Sequence, residues 1–182
     1  MLKHPKTLIT SCVVLFWALC LPAYSLDGHL PLRTTAIPTT TNSVPHVQIG
    51  VQPNPVLTAE LLRRVANIPD VSVRNTVISL PGAKGFWLNQ NLLLARPDAI
   101  VGGREFAHIH PDGSLHASLH PATAIAAVKA GWATPHPWAN QRPGWEGFVM
   151  IYTPMNNQEL DVVYRLVVDS FEFVTGRKLV HQ

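Results

Sequence analysis

The stretch that decides the fold is Arg104-Glu-Phe-Ala-His-Ile-His110, Pro111-Asp112-Gly113 and Ser114-Leu-His-Ala-Ser-Leu119. Pro-Asp-Gly suits a three-residue hairpin loop, a type I turn followed by a left-handed glycine, which would pair His110 with Ser114 and His108 with His116. Opposed residues project to one face of a sheet, and His108 and His110 share a face because they are two apart. The sequence therefore predicts a hairpin on which three imidazoles converge. A two-residue loop would instead send His116 to the opposite face.

The flanking segments predict a single α+β domain, mainly an antiparallel sheet packed with about three helices, because helices and strands do not alternate regularly. Capping residues, periodicity and turn residues give the expected order of elements. The first expected elements are a helix from a Thr58 cap to about Asn67, strands at 71–80 and 85–88, and a short strand plus loop within 92–101. The hairpin follows, and after it come a helix from Pro121 to Gly131 capped by His120 and a loop at 132–146. The last elements are a strand at 147–152 and a helix that starts at Asn156 and ends at Gly176.

The N-terminal part is expected to lie outside this domain. Residues 1–25 have the order of an export signal, basic, then apolar, then small residues at the cleavage site. The apolar run 8–21 is shorter than the ~20 residues that span a bilayer, which favours cleavage over a retained anchor. Residues 26–56 are rich in Pro and Thr and predict a linker that tethers the domain or wraps loosely over it. The domain is then 57–182, and the protein periplasmic or secreted, or alternatively membrane-anchored by residues 8–21.

Charge and cysteine usage exclude several classes of function. Removing Lys3 and Lys6 from the 14 Lys and Arg leaves 12 against 11 Asp and Glu, so the mature chain is nearly neutral and no nucleic-acid partner is expected. Cys12 and Cys20 both lie in the signal, so the mature chain has neither a disulfide nor a cysteine nucleophile. The unusual feature is its eight histidines, out of 9 in the whole chain.

The hairpin histidines admit three interpretations. His108, His110 and His116 can hold a divalent metal through neutral imidazoles. They can also act without metal as general bases or donors near neutral pH, with Arg104 and Glu105 adjacent. The third interpretation is a polar patch of mutually hydrogen-bonded rings.

A second group of candidates follows the hairpin. Proline lies on both sides of His136 and stiffens its loop, as expected where an imidazole must be held in place. Tyr152, on the next strand, can present its hydroxyl to the site. Three tryptophans can wall an aromatic substrate pocket: Trp132, Trp138 and Trp145. His120 is expected only to cap a helix, and His29, His46 and His181 are expected near flexible ends.

In combination these motifs resemble the luciferase-like domain family, named for the fungal luciferases, over about 104–177. The features that carry the resemblance are Arg-Glu-Phe-Ala-His-Ile-His, Ser-Leu-His-Ala-Ser-Leu, Gly-Trp with His136-Pro137, Ile151-Tyr-Thr-Pro154 and the final amphipathic helix. The resemblance implies an enzyme that oxygenates a 3-hydroxy-pyrone with molecular oxygen, without an organic cofactor. By position it implies that His108, His110, His116 and His136 serve deprotonation of an enol before reaction with oxygen. The tight hairpin turn puts light emission in doubt.

The leading hypothesis is therefore an exported oxygenase of a small enol or pyrone-like compound. Its partners would be that substrate and molecular oxygen, with no cofactor and no membrane contact except through an uncleaved N-terminal segment. The alternatives are a non-catalytic periplasmic domain that binds a small molecule, and a metal-binding protein built on the histidine cluster.

Overall fold

The computed structural model describes residues 30–179. The predicted export signal, residues 1–25, and its possible role as an anchor lie outside the described residues. Within 30–179, no helix combines the length and the apolar character needed to cross a membrane.

The centre of the molecule is one six-stranded sheet in which every neighbouring pair is antiparallel. The strands lie in the order β1-β2-β3-β4-β6-β5, and three helices pack with them. This confirms the predicted α+β fold. The elements are β1 (Val71–Asn75), β2 (Lys84–Leu88), β3 (Glu105–Ile109), β4 (Leu115–Ser118), β5 (Ala133–Pro135), β6 (Phe148–Ile151), α1 (Pro55–Ala66), α2 (Pro121–Lys129) and α3 (Asn157–Thr175).

The β3–β4 hairpin has the predicted register. His108 lies opposite His116, and the His110 and Ser114 positions close the ladder, with the His110 N–H donating to the Ser114 carbonyl at 2.8 Å. Gly113 has φ 84° and its N–H donates to the His110 carbonyl at 3.0 Å. The left-handed glycine therefore fixes the three-residue loop that brings the imidazoles to one face.

The helices begin at side-chain caps, two of which the sequence predicts. His120 Nδ1 accepts from the Ala122 N–H at 3.2 Å, and Asn156 Oδ1 accepts from the Glu159 N–H at 2.9 Å. The predicted Thr58 cap of α1 is wrong. Asn54 caps this helix instead, because its side chain reaches the Val56 N–H at 2.9 Å and Pro55 fits the first helical position.

Three other expectations are corrected. The strand predicted for 71–80 ends at Asn75, because the next two residues leave the ladder to bind the Glu105 carboxylate. The segment 92–101 contains no strand, only a 3-10 turn at Pro97–Ala99. The predicted loop 132–146 contains the short edge strand β5.

One face of the sheet is covered by α3 and forms the hydrophobic core. The Phe106 and Phe171 rings meet at 6.1 Å, and Ser170 Oγ donates to the Ser118 carbonyl at 2.8 Å. The residues predicted for the inner face of α3 are buried, apart from the half-buried Tyr164. These are Leu160, Val163, Val167, Phe171 and Val174.

Residues 30–54, which we call the strap, pack against the domain and do not form the loose linker that their composition suggests. Arg33 and Glu159 form an ion pair at 3.0 Å whose side chains are 1% and 3% exposed. The Trp132 indole donates to the Pro31 carbonyl. Partners in the domain thus bind polar groups of the strap, and composition alone does not reveal these contacts. The boundary at residue 57 stays a prediction.

Candidate functional site

Five histidines line one cavity of about 300 Å³ on the sheet face opposite α3. His108, His110 and His116 come from the hairpin and His136 from the loop after β5, as the sequence predicts. His46 comes from the strap. His116 lies at the centre, with its ring centroid 4.6 Å from that of His110 and 4.5 Å from that of His136. All five side chains are buried.

A β-bulge brings Glu105 onto the histidine face. Trp87 pairs with Glu105 and Phe86 with Ala107, so Phe106 is an extra residue in β3. Residues three apart on a regular strand face opposite sides, but here Glu105 Oε1 lies 3.1 Å from His108 Nδ1. The same carboxylate accepts from Thr76 Oγ1 at 2.7 Å and from the Val77 N–H at 3.0 Å. Glu105 is therefore a fixed, buried acceptor behind His108.

These contacts set the tautomers of two histidines. A carboxylate only accepts, so a neutral His108 carries its proton on Nδ1 and its lone pair on Nε2. His108 Nε2 lies 3.2 Å from His116 Nδ1, which therefore donates. The lone pair of His116 is then on Nε2, which is buried and has no hydrogen-bond partner. The relay Glu105–His108–His116 leaves one basic nitrogen free.

His110 is oriented by the hairpin turn. Ser114 Oγ donates to Asp112 Oδ1 at 2.7 Å, and its single proton is thereby used. Ser114 Oγ must then accept from His110 Nδ1, 3.0 Å away. The lone pair of His110 is left on Nε2.

His136 has the opposite tautomer. Its Nδ1 accepts from the Trp138 N–H at 3.0 Å, so the neutral ring carries its proton on Nε2 and acts there as a donor. The backbone N–H of His136 donates to the Phe148 carbonyl at 3.0 Å, and the centroids of the His136 and Phe148 rings lie 4.2 Å apart. The stiff loop thus holds one donor opposite the acceptors of the hairpin.

Burial keeps these imidazoles neutral. It lowers the pKa of His110 to about 4 and that of His136 to about 3, and the other histidines add to both shifts. The pKa of His116 is lowered well below its usual value, first by burial and then by His110 and His108. Burial also lowers the pKa of His46. At pH 7 these four rings therefore offer lone pairs and N–H groups, not positive charge.

The rest of the cavity wall is mostly apolar. Within 30–179, no Lys, Arg, Asp or Glu lines the cavity. The lining other than the histidines consists of Val44, Pro45, Ile78, Ser79, Leu80, Val101, Trp138 and Phe148. Such a wall suits a small uncharged ligand.

The chain is similar to known proteins over the part that contains the hairpin. A profile described as luciferase domain matches residues 103–170, which contain both hairpin strands and His136. The luciferase of Armillaria gallica is 28% identical over 167 residues, covering 81% of this chain and 62% of the relative. Residues 103–170 of the chain thus resemble a luciferase domain. A luciferase of Neonothopanus nambi is 27% identical over 139 residues, covering 65% of this chain and 51% of the relative.

The chain thus spans about three fifths of the length of the Armillaria luciferase and about half of the Neonothopanus one. The resemblance inferred from the motifs is confirmed. No solved structure matches the chain.

Not every residue predicted for the site reaches the cavity. The Arg104 guanidinium donates to the Leu92 carbonyl, and the Tyr152 ring lies 5.9 Å from the Arg33 guanidinium carbon. Trp132 binds the strap. None of these three lines the cavity, because each serves to hold a neighbouring segment.

The other two tryptophans form one wall. Trp138 lines the cavity, and Trp145 stacks behind it with ring centroids 6.1 Å apart and an interplanar angle of 19°. Trp145 therefore supports the aromatic wall without itself lining the cavity.

Within residues 30–179, two groups of three histidines have ring nitrogens within 4.8 Å of one another, and His116 belongs to both. His108, His110 and His116 are the predicted metal ligands. In that group His108 Nε2 already accepts from His116, so a metal there would have to displace this contact. The second group is His46, His116 and His136.

His46 is the site residue that the sequence prediction missed, because its surrounding Pro and Thr residues indicate a flexible segment. Its ring stacks on that of His116 with centroids 5.3 Å apart and an interplanar angle of 16°. The one available signal was Pro45-His46, which resembles the proline-flanked His136.

Proposed function

We propose that this protein catalyses the oxidation of a small, uncharged enol by molecular oxygen, with His116 as the general base. The observation that carries the proposal is the unpartnered, buried Nε2 of His116 at the end of the Glu105–His108 relay. The names of the relatives support it at the coarse level of a small-molecule substrate and oxygen.

The relay explains how a weakly basic imidazole can act. The enol O–H would pass its proton to His116 Nε2 while the electron pair stays on oxygen. The imidazolium so formed donates from Nδ1 to His108, and Glu105 supplies the compensating negative charge through His108. The donor Nε2–H of His136 would face the enolate oxygen. The enolate carbon then supplies the electron pair of a new C–O bond to dioxygen, and the enolate oxygen becomes a carbonyl. The O=O double bond is reduced to the O–O single bond of a peroxide, whose terminal oxygen takes the proton back from His116.

Oxygen uptake by the purified protein tests this proposal. A 3-hydroxy-2-pyrone should be consumed with oxygen, whereas its 3-methoxy analogue should not, because it has no proton to transfer. Equal oxygen uptake with both compounds, or none with a panel of hydroxy-pyrones and related enols, contradicts the proposal. Tight binding without uptake would favour a non-catalytic binding domain instead.

Metal binding is the second candidate function, because the His108, His110 and His116 nitrogens lie within 4.8 Å of one another. Elemental analysis of the purified protein separates the two. The metal-free proposal predicts less than stoichiometric metal and oxygen uptake that survives chelation. Stoichiometric metal that is lost in His108→Ala and His110→Ala would support the second candidate.

Export remains part of the proposal. We infer that residues 1–25 direct secretion and are then removed. N-terminal sequencing of protein recovered outside the cytoplasm should give a chain that begins at Leu26, and an intact N-terminus on a membrane-bound protein would favour the anchor.

A further inference from the structure

The strap presents His46 to the cavity on a hairpin of its own. The Thr41 N–H donates to the Val47 carbonyl at 3.0 Å and the Ile49 N–H to the Thr39 carbonyl at 2.9 Å. His46 lies in the loop that these bonds close. This arrangement gives a segment without long secondary structure a defined shape.

Gln48 joins the strap hairpin to Thr153 and to the turn of the β3–β4 hairpin. Its Nε2 donates to Thr153 Oγ1 at 2.6 Å, and its Oε1 accepts from the Thr153 N–H at 3.2 Å. The Gln48 N–H also donates to Asp112 Oδ2 at 3.1 Å. Asp112 is the residue whose other oxygen orients Ser114 and hence His110. The placement of His46 is therefore coupled to that of the other histidines.

His46 brings an unused polar atom to the base. Both His46 Nδ1 and His116 Nε2 are buried without a hydrogen-bond partner, and the two side chains are 4% and 5% exposed. One ring nitrogen from each of His46, His116 and His136 lies within 4.8 Å of the others. Hydrogen bonds of about 2.8–3.0 Å let one oxygen atom reach all three nitrogens. Unpartnered buried groups are unfavourable, so two of them on rings that line one cavity indicate a ligand.

We propose that His46, His116 and His136 form a subsite for a single hydroxyl oxygen of a neutral ligand, and that His46 is a ligand-binding residue. The reaction of the bound ligand rests on the proposed function, whereas the binding of the ligand at this subsite does not. The ligand hydroxyl donates to His116 Nε2 and accepts from His136 Nε2–H. No protein group fixes the tautomer of His46, so its Nδ1–H supplies a second donor. The ligand class is a phenol or enol without other charges.

The hydrogen bonds favour an oxygen ligand over a metal ion at this subsite. A metal held by His136 Nε2 would require a proton on Nδ1, which already accepts the Trp138 N–H at 3.0 Å. Two hydrogens would then point at each other. A ligand oxygen needs no such change, because it accepts from His136 as that ring stands.

A matched pair of probes tests the subsite without any reaction. 4-Nitrophenol, at a pH where it is neutral, and 4-nitroanisole differ only in the hydroxyl hydrogen and a methyl group. The native protein should bind the phenol more tightly. His46→Phe keeps the stacking on His116 and removes both nitrogens, so the phenol affinity should fall about fivefold to thirtyfold, as expected for one lost hydrogen bond to a buried partner. The anisole affinity should change less than twofold.

Controls make the ratio of the two affinities decisive. His46→Asn retains a donor near the Nδ1 position and should recover part of the phenol preference. His120→Asn replaces a histidine outside the cavity by another capping residue and should leave the ratio unchanged. If His46→Phe does not fold, the ratio is measured on His46→Leu.

The inference is overturned if His46 variants lower both affinities equally, if the native protein shows no phenol preference, or if that preference disappears on chelation. Oxygen uptake is measured separately. A phenol preference that depends on His46 without any oxygen uptake would leave the subsite standing and defeat only the proposed function.

Discussion

At the scale of residues, the site depends on which nitrogen of each histidine carries the proton. Glu105 determines the tautomer of His108, and through it that of His116. The Trp138 N–H determines the tautomer of His136. Histidine nitrogens that accept hydrogen bonds and one that donates thus face the same cavity, although all of these side chains are histidines. The arrangement follows from neighbours that can only donate or only accept.

Glu105→Gln should reverse this relay. The Val77 N–H can only donate, so the glutamine oxygen must stay on it and the amide NH₂ must face His108 Nδ1. His108 would then carry its proton on Nε2 and His116 would lose its free lone pair. We expect kcat for the proposed oxidation to fall about 100-fold or more while the fold persists.

Nitrogen NMR of the histidines checks the cause of that loss. The Nε2 signal of His116 should change from an unprotonated to a protonated nitrogen in Glu105→Gln. Lost activity with unchanged tautomers would show that Glu105 acts in another way.

The buried histidines should also make the protein sensitive to acid. Their pKa values in the folded state, about 4 for His110 and about 3 for His136, are below the value of about 6.5 for an unfolded chain. Stability is therefore fully present above pH 6.5 and falls as the pH drops toward 4, because only the unfolded state takes up these protons. The expected slope is about 1.4 kcal/mol per pH unit for each such histidine.

Urea unfolding between pH 7 and pH 4.5 measures this slope. His116→Phe should reduce the slope by about one histidine's share, whereas His120→Asn should not alter it. A free energy of unfolding that stays flat from pH 6.5 to 4.5 would contradict the account.

At the scale of elements, the turn at Gly113 sets the register of the β3–β4 hairpin. A Cβ on Gly113 would lie 2.8 Å from Thr153 Cγ2 and 3.2 Å from Pro53 Cβ, and φ is +84°. Gly50 also has a positive φ, +73°, but no atom within 4 Å of such a Cβ. Both substitutions by Ala should cost about 1 kcal/mol for the left-handed backbone, and Gly113→Ala about 1–3 kcal/mol more. Chemical denaturation of the two variants measures the difference, and equal losses would mean that Thr153 and Pro53 leave room for a side chain at Gly113.

The hairpin could be predicted from the sequence because a short local rule determines it. Pro-Asp-Gly specifies the turn, the turn specifies the register, and the register places His108 opposite His116. The β-bulge at Phe106 could not be predicted, because a bulge depends on the partner strand β2. From the sequence, Glu105 is therefore a candidate site residue only because it lies close to His108 along the chain.

The ordered structure of the strap, in contrast, could not be predicted from its sequence. Its Pro and Thr residues indicate no element, and its order comes from contacts far along the chain, such as Arg33 with Glu159. His46 was assigned to a flexible end for that reason. Arg104, Tyr152 and Trp132 were misplaced because chain proximity does not say which side of a strand or loop a side chain takes.

At the scale of the whole molecule, a neutral cavity of about 300 Å³ is enclosed by a sheet, a stiff loop and the strap. The hydrophobic core under α3 lies on the other face of the same sheet and includes residues of both hairpin strands. The fold thus places the hydrophobic core and the histidine-lined cavity on opposite faces of one sheet. We expect substrates that are small and uncharged, since the described lining offers a carboxylate or phosphate no cationic partner.

The most direct test of the central claim is the rate of oxygen uptake with a 3-hydroxy-2-pyrone, compared between the native protein, His116→Gln and His120→Asn after chelation. The account predicts uptake by the native protein and by His120→Asn at similar rates, and a loss of about 100-fold or more in His116→Gln. Uptake by His116→Gln at the native rate, or uptake that disappears from the native protein when metal is removed, would contradict it.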